Sequence, residues 1–194
     1  MYTKNIDSLL NKIQNIDGDI IELGVYKGNN TFIIGDFLQK NKLNKQYIGF
    51  DTFNGYCEED LVGANEGALS NQRSERWKIS KTLVVDAITE KVLDDYCQIV
   101  VGDIKSTIHK YLNTKCESYK ISMIYIDCNL YLPAIVALRA CKNYLSRGAL
   151  VVVDEHTIGG ETQAFNEFCQ EMSIDVHSTG WVYPYGPRIY GIVK

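Results

Sequence analysis

The sequence predicts an α/β fold, a mostly parallel seven-stranded sheet with helices on both faces. Three observations carry this. Short apolar runs of strand length alternate along the chain with stretches whose apolar residues recur at helical spacing. The run inside "ALVVVDE" (149–155) is continuously apolar, as suits a central strand covered on both sides. The strand-helix alternation implies parallel crossovers, until two last strand-like segments joined by "WVYPYGP" suggest an antiparallel end.

The elements follow in order. Ile6, Leu9, Leu10, Ile13 and Ile16 mark an opening amphipathic helix that Asp17-Gly18 stops. "DIIEL" is a buried strand, and "NNTFIIGDFLQKNKL" returns to helical spacing with Asn29 or Asn30 as N-cap. "QYIGF" is a second strand, ending at Asp51. Residues 52–92 lose strand character and read as a cover over a site, with Phe53, Tyr56 and Trp77 available to stack or exclude water. "CQIVVGD" and "IKSTIHKYL" are the next strand and helix. "ISMIYID" is followed by "LPAIVALRACKNYL", whose Pro133 fits a first helical turn and whose end falls at Gly148. "ALVVVDE", the helix "TQAFNEFCQEM" and the strands "IDVHSTG" and "RIYGIVK" complete the chain. No repeat or linker interrupts residues 1–194, which are enough for one domain with a substantial core and short for two.

Composition narrows the function classes. A net charge of −4 gives no general attraction to nucleic acid or an anionic membrane, so neither is expected as a partner. No apolar run approaches the ~18 residues a membrane helix needs, and the polar start "MYTKNIDSLLNKIQNID" is unlike a secretory signal, so a cytoplasmic protein is expected. Six cysteines without a CxxC pair fit reduced, mostly buried thiols rather than a disulfide framework or zinc site.

The turn "ELGVYKG" (22–28) matches neither phosphate template: it lacks the Gly-Lys-Ser/Thr of a Walker loop and the GxGxxG of a dinucleotide fold. Acids mark the carboxyl ends of the first five strands instead: Glu22, Asp51, Asp103, Asp127 and the pair Asp154-Glu155. In an open parallel sheet that edge is the ligand crevice. Crowded carboxylates raise one another's pKa unless cations or hydrogen-bond donors compensate, so these acids need partners. Glu22, Asp51 and Asp103 could accept from the hydroxyls and amine of a nucleoside ligand. Asp127, Asp154 and Glu155 offer hard oxygens suited to magnesium or calcium.

A nucleoside that carries an amino acid and no phosphate fits such a site, and S-adenosylmethionine is that molecule. "ELGVYKG" resembles the E-x-G-x-x-x-G first motif of class I methyltransferases. "FDTFNG" (50–55) resembles the F-D-[ST]-F-x-G signature of the macrocin O-methyltransferase family, the TylF type. "IYIDCNLY" is similar to its D-x-D-L-Y segment, and "GALVVVDEHTIGGETQAFNEF" to its G-G-x-x-x-x-D-[DE] strand and following helix. The motifs run in order from residue 18 to 172. The resemblance implies a Rossmann-like class I methyltransferase fold and transfer of a methyl group from S-adenosylmethionine to a hydroxyl of a small molecule, such as a sugar or glycosylated natural product. It places Glu22 and Gly24 at the methionine end of the cofactor, Asp51 at the ribose hydroxyls and Asp103 with Ile104 at the adenine, and it counts Gly28, Thr52 and Gly102 among the cofactor-binding residues. It makes Asp127, Asp154 and Glu155 the Mg2+ ligands, with Asp127 also bordering the cofactor.

One position departs from the pattern: the second acid of D-x-D-L-Y is Asn129 here. An amide cannot take a proton at neutral pH. The general base then falls to Asp127, to His156, whose imidazole titrates in the useful range, or to solvent. His109 reads as structural. Trp181, Tyr183 and Tyr185 suit sugar faces, core packing or a homodimer contact. Two alternatives stay open: a cofactor-binding module weakened in catalysis, and an NAD-dependent oxidoreductase, against which the missing pyrophosphate fingerprint counts.

Overall fold

The computed structural model describes residues 3–61, 78–154, 160–183 and 186–194. Its strands are β1 (Asp19–Leu23), β2 (Tyr47–Asp51), β3 (Cys97–Val101), β4 (Ile121–Ile126), β5 (Leu145–Val153), β6 (Asp175–Tyr183) and β7 (Gly186–Ile192). Its helices are α1 (Thr3–Ile13), α2 (Asn29–Lys40), α3 (Lys81–Glu90), α4 (Ile104–Leu112), α5 (Tyr131–Cys141) and α6 (Gly160–Glu171). The seven strands form one sheet in the order β3-β2-β1-β4-β5-β7-β6. β1 to β5 run parallel, β7 is antiparallel to β5, and β6 is antiparallel to β7. Strand order reverses between β1 and β4, which opens a crevice at their carboxyl ends.

Successive side chains of a strand face opposite sides, and here both sides are buried. Ile21, Leu23, Ile124, Ile126, Val151 and Val153 meet α4, α5 and α6 through Ile108, Leu112, Leu138, Phe165 and Phe168. Ile20, Met123, Tyr125, Leu150 and Val152 meet α1, α2 and α3 through Ile6, Leu10, Ile34, Leu38, Val84 and Ile88. Ile6, Leu9, Leu10 and Ile13 put one helical stripe of α1 into this core. α3 therefore belongs to the body of the fold, which corrects the expected cover over 52–92 for Lys81–Glu90. Residues 62–77, including Trp77, lie outside the described residues.

Three local expectations are corrected. The cap of α2 is Gly28, at φ 78°, and Asn30 is turned inward, for a reason given below. α5 stops at Cys141 and a short 3-10 turn leads straight into β5, so Gly148 lies inside that strand instead of ending the helix. There it has φ 85°, its N–H bonds Val193 O at 2.8 Å, and the β4–β5 register shifts beside it. It is a strand irregularity, another place where glycine is favoured. Finally, the "WVYPYGP" connection is mostly strand, since β6 runs through Tyr183 and β7 begins at Gly186. Tyr185 lies outside the described residues. All six cysteines are free thiols, and four of them are buried. No helix among the described residues is long and apolar enough to cross a membrane.

Candidate active site

A cleft enclosing about 720 Å³ of space open to solvent lies over the strand-order reversal. Its walls come from four loops: Gly24 and Tyr26 after β1, Asp51, Thr52, Tyr56, Cys57 and Asp60 after β2, Asp103 and Ile104 after β3, and Asp127 to Leu130 with Pro133 after β4. The sequence-predicted residues Gly24, Asp51, Thr52, Asp103, Ile104 and Asp127 are thus brought together. Glu22, Gly28, Gly102 and Asp154 are not on the lining. Glu155 and His156 lie outside the described residues.

Gly24 is required by a close approach of backbone. It has φ 93°, and a Cβ there would lie 2.1 Å from the carbonyl oxygen of Asp127 and 3.1 Å from Cα of Cys128. No side chain fits where the ends of β1 and β4 meet. Gly24 N–H bonds Phe50 O at 2.9 Å and Asp127 N–H bonds Leu23 O at 2.8 Å, so the turn is pinned from both neighbours.

Asp51 organises the turn from the second strand. Its Oδ2 accepts the N–H groups of Val25 and Tyr26, both at 2.8 Å, and its Oδ1 accepts the N–H of Phe53 at 2.7 Å. Tyr26 and Phe53 have φ of 49° and 54°, a conformation costly for bulky residues, which these bonds help to hold. Thr52 Oγ1 donates to Gly55 O at 2.6 Å and closes the next turn.

Glu22 faces the interior. It is 1% exposed, one oxygen accepting from Asn30 Nδ2 at 2.6 Å and the other from the Tyr47 hydroxyl, which also pairs with Thr31 Oγ1 at 2.8 Å. This is why Asn30 does not cap α2: its amide is a donor for a buried acid. Burial pushes the Glu22 pKa to about 8, the bonds from Tyr47 and Asn30 only partly opposing it, with Asp154 and Asp51 adding to the rise. Glu22 therefore holds its proton more tightly than an ordinary carboxyl, and it is seated behind the turn rather than in the cleft.

Asp103 caps α4, accepting Lys105 N–H at 3.0 Å. Lys105 Nζ reaches 2.7 Å from both oxygens of Asp60, a buried residue of a 3-10 turn at Glu58–Leu61. Sequence reasoning missed this pair because its members are 45 residues apart. It also passed over Tyr26, Leu130 and Pro133 as lining residues, for which position after a strand end was the available signal.

On the other side, Ile126 and Val153 are register partners, so Asp127 and Asp154 leave adjacent strands side by side. Asp154 Oδ1 accepts from the Tyr125 hydroxyl. Asn129, at φ 64°, is clasped to α6: its N–H bonds Glu161 Oε2 at 2.6 Å, and its carbonyl accepts Gly160 N–H at 3.0 Å. Glu161 is fully buried, another acid the sequence reading did not single out. His109 is exposed on α4, away from the cleft lining.

The fold is shared with solved methyltransferases. NovP, described as an O-methyltransferase, superposes with a TM-score of 0.83 over 100% of this chain and 79% of its own, at 18% identity. CalS11, described as a TDP-rhamnose 3'-O-methyltransferase of calicheamicin biosynthesis, gives 0.67 over 98% and 77%, at 22% identity. Cofactor-bound Rv0187 from MTB gives 0.63 over 100% and 80%, at 13% identity. No curated protein matches the chain. The model of the family described as macrocin O-methyltransferase (TylF) matches residues 3–180, nearly the whole chain. With the acid-edged cleft at the strand-order reversal, that match establishes that the chain belongs to the TylF macrocin O-methyltransferase family and is an S-adenosylmethionine-dependent O-methyltransferase.

Proposed function

We propose that the chain methylates a hydroxyl of a sugar or glycosylated natural product, with Mg2+ held at the ends of β4 and β5. The observation that carries this is the division of the cleft edge. One half presents a glycine turn, an aspartate with acceptor capacity to spare and an apolar wall, and the other presents carboxylates on adjacent strands.

The first half fits the cofactor. Three N–H bonds use three of the about four acceptor positions of the Asp51 carboxylate, leaving one on Oδ1 for a ribose hydroxyl, beside Thr52. Ile104, Leu130 and Pro133 offer apolar surface for an adenine ring, with Asp103 at its edge. The bare backbone of Gly24 admits the methionine portion without a Cβ in the way. Glu22, Gly28 and Gly102 serve the cofactor by shaping the loops rather than by touching it. The bound cofactor supplies a methyl group already activated on a sulfonium.

The second half fits a hard cation in its donor type. Asp127 reaches the cleft, Asp154 follows on the next strand, and Glu155 would complete an oxygen set of the kind magnesium takes. A metal there would lower the pKa of an acceptor hydroxyl. Asp127 or His156 then takes the proton, since Asn129 cannot. The description of CalS11 as a TDP-rhamnose 3'-O-methyltransferase supports a sugar acceptor. The chain acts as a single domain, with the segment from Thr52 to Leu61 forming one wall of its cleft.

Calorimetric titration with S-adenosylhomocysteine, with and without Mg2+, tests the division. Wild type and Asp154→Ala should bind and Asp51→Ala should not, and transfer to sugar hydroxyls should stop with EDTA and return with Mg2+. Transfer undiminished by EDTA would remove the metal from the reading. Asn129 favours one second reading, a module that binds cofactor but transfers poorly; metal-dependent turnover with any sugar acceptor would reject it.

A further inference from the structure

Three carboxylates converge on the ammonium of Lys105, two residues into α4. Asp60 takes it bidentately at 2.7 Å, Asp103 Oδ1 lies at 3.3 Å and Glu59 Oε1 at 3.4 Å. Asp60 is 4% exposed, although it sits on a four-residue turn at the outer wall of the cleft. The turn's own backbone bond, Asp60 N–H to Cys57 O at 3.0 Å, is local, and the turn also lies against α5. Both ends of the bridge, Asp60 and Asp103, line the cleft, next to Ile104.

We propose that Lys105 is a positioning residue for the nucleoside end of the cofactor, fixing the Asp103 carboxylate and latching the wall that carries Tyr56, Cys57 and Asp60. This rests on the assignment of Asp103 and Ile104 to the adenine. The physical reason is the cost of an unpaired buried charge: without the ammonium, Asp60 must take a proton or turn out to water, and the wall moves with it. Burial raises the Asp60 pKa above the ordinary carboxylate range, and the bonds to Lys105 oppose that rise only in part. Partial burial works against the ammonium, and its bonds to Asp60 and Asp103 outweigh that and hold it charged. Cys57, Asp60 and Asp103 also bring donor atoms within 4.8 Å of one another, as a metal site would. Lys105 already supplies a cation to that cluster, which favours a latch over a metal.

The test compares wild type with Lys105→Met, Asp60→Asn and Lys105→Arg by S-adenosylhomocysteine calorimetry, steady-state kinetics and thermal melting. Lys105→Met should weaken binding by about tenfold and raise KM for the methyl donor with little change in kcat. Lys105→Arg, which keeps a charged bidentate donor, should restore most of the affinity. Asp60→Asn, which removes the buried carboxylate and leaves the Lys105 ammonium to Asp103 and Glu59, should fall between wild type and Lys105→Met and keeps the test valid if that variant does not fold. Folded variants that bind as tightly as wild type, or a loss confined to kcat, would overturn the latch alone. A wild type that fails to bind would overturn the cofactor assignment and the latch with it.

Discussion

Replacing Glu22 by Gln should stabilise the protein, and increasingly so as pH rises. Glu22 is fully buried, and its pKa moves from 4.5 to about 8 on folding. Below about pH 4.5 the carboxyl is protonated in both the folded and unfolded chain and contributes no pH dependence. Between about 4.5 and about 8 only the folded state keeps the proton, so stability falls as pH rises, by at most about 1.4 kcal/mol per pH unit. Above about 8 both states are ionised and the loss levels off. Over the window the loss is of order 5 kcal/mol, a large part of the ~5–15 kcal/mol stability of an ordinary domain. Gln carries no titrating group and still offers an oxygen to Asn30 and an amide to Tyr47. Urea denaturation of both proteins at about pH 5, 6.5, 8 and 9 gives the difference directly, and taking the difference cancels the other titrating groups. The advantage of Glu22→Gln over wild type should grow by several kcal/mol from pH 5 to pH 8 and then stay constant. Parallel curves across that range would refute the reasoning, because they would mean that Glu22 does not change its proton occupancy on folding.

Gly24→Ala must separate the ends of β1 and β4 by about 1 Å to bring a 2.1 Å contact with Asp127 O to van der Waals distance. Positive φ and weakened bonds add to that, so a loss of about 3 kcal/mol or more in denaturant stability is expected, and an unchanged midpoint would contradict the close-approach argument. Asp51→Asn turns an acceptor of three N–H groups into one with a competing NH2; melting should show a cost of about 2 kcal/mol, and S-adenosylhomocysteine affinity should drop alongside. Glu161→Ala leaves the Asn129 N–H without its 2.6 Å partner; kcat should fall about tenfold or more while cofactor affinity stays within about threefold, and the opposite split would move Glu161 to the cofactor end.

The strands were legible because each is a short apolar run bounded by Gly, Asp or a polar turn, and every strand core of the sheet lies where the pattern puts it. What misled was treating all strand-end acids alike. Asp51 is the last residue of β2, and Asp103 and Asp127 follow the ends of β3 and β4, where the chain leaves the sheet toward the crevice. Glu22 is the last but one residue of β1 and shares a face with Ile20, which packs under α1 and α2. The period-two rule, applied one residue further, would have turned it inward. Asn30 failed as a cap for the same reason, since the need of Glu22 for a donor outweighed the local preference. The Lys105–Asp60 bridge and the Glu161–Asn129 clasp join segments 45 and 32 residues apart, and nothing in local spacing announces such pairs.

The sequence raised a difficulty of its own: six acids on one edge should repel one another and spoil the site. The structure resolves it differently at four of these positions. Glu22 sheds its charge by keeping a proton in the interior. Asp51 is held by three backbone N–H groups. Asp103 caps a helix and shares a lysine with Asp60. Asp154 takes a tyrosine hydroxyl. On the β3 side Lys105 supplies a compensating cation, and at β4 and β5 Asp127 and Asp154 leave adjacent strands side by side. Two carboxylates side by side are hard oxygen donors of the kind a divalent cation would favour. On this argument Asp127→Asn should relieve repulsion in the metal-free protein and raise its melting temperature, whereas the same substitution in saturating Mg2+ should lower it. A shift of the same sign in both conditions would show that the protein itself balances the charge at this end and has no need of the metal.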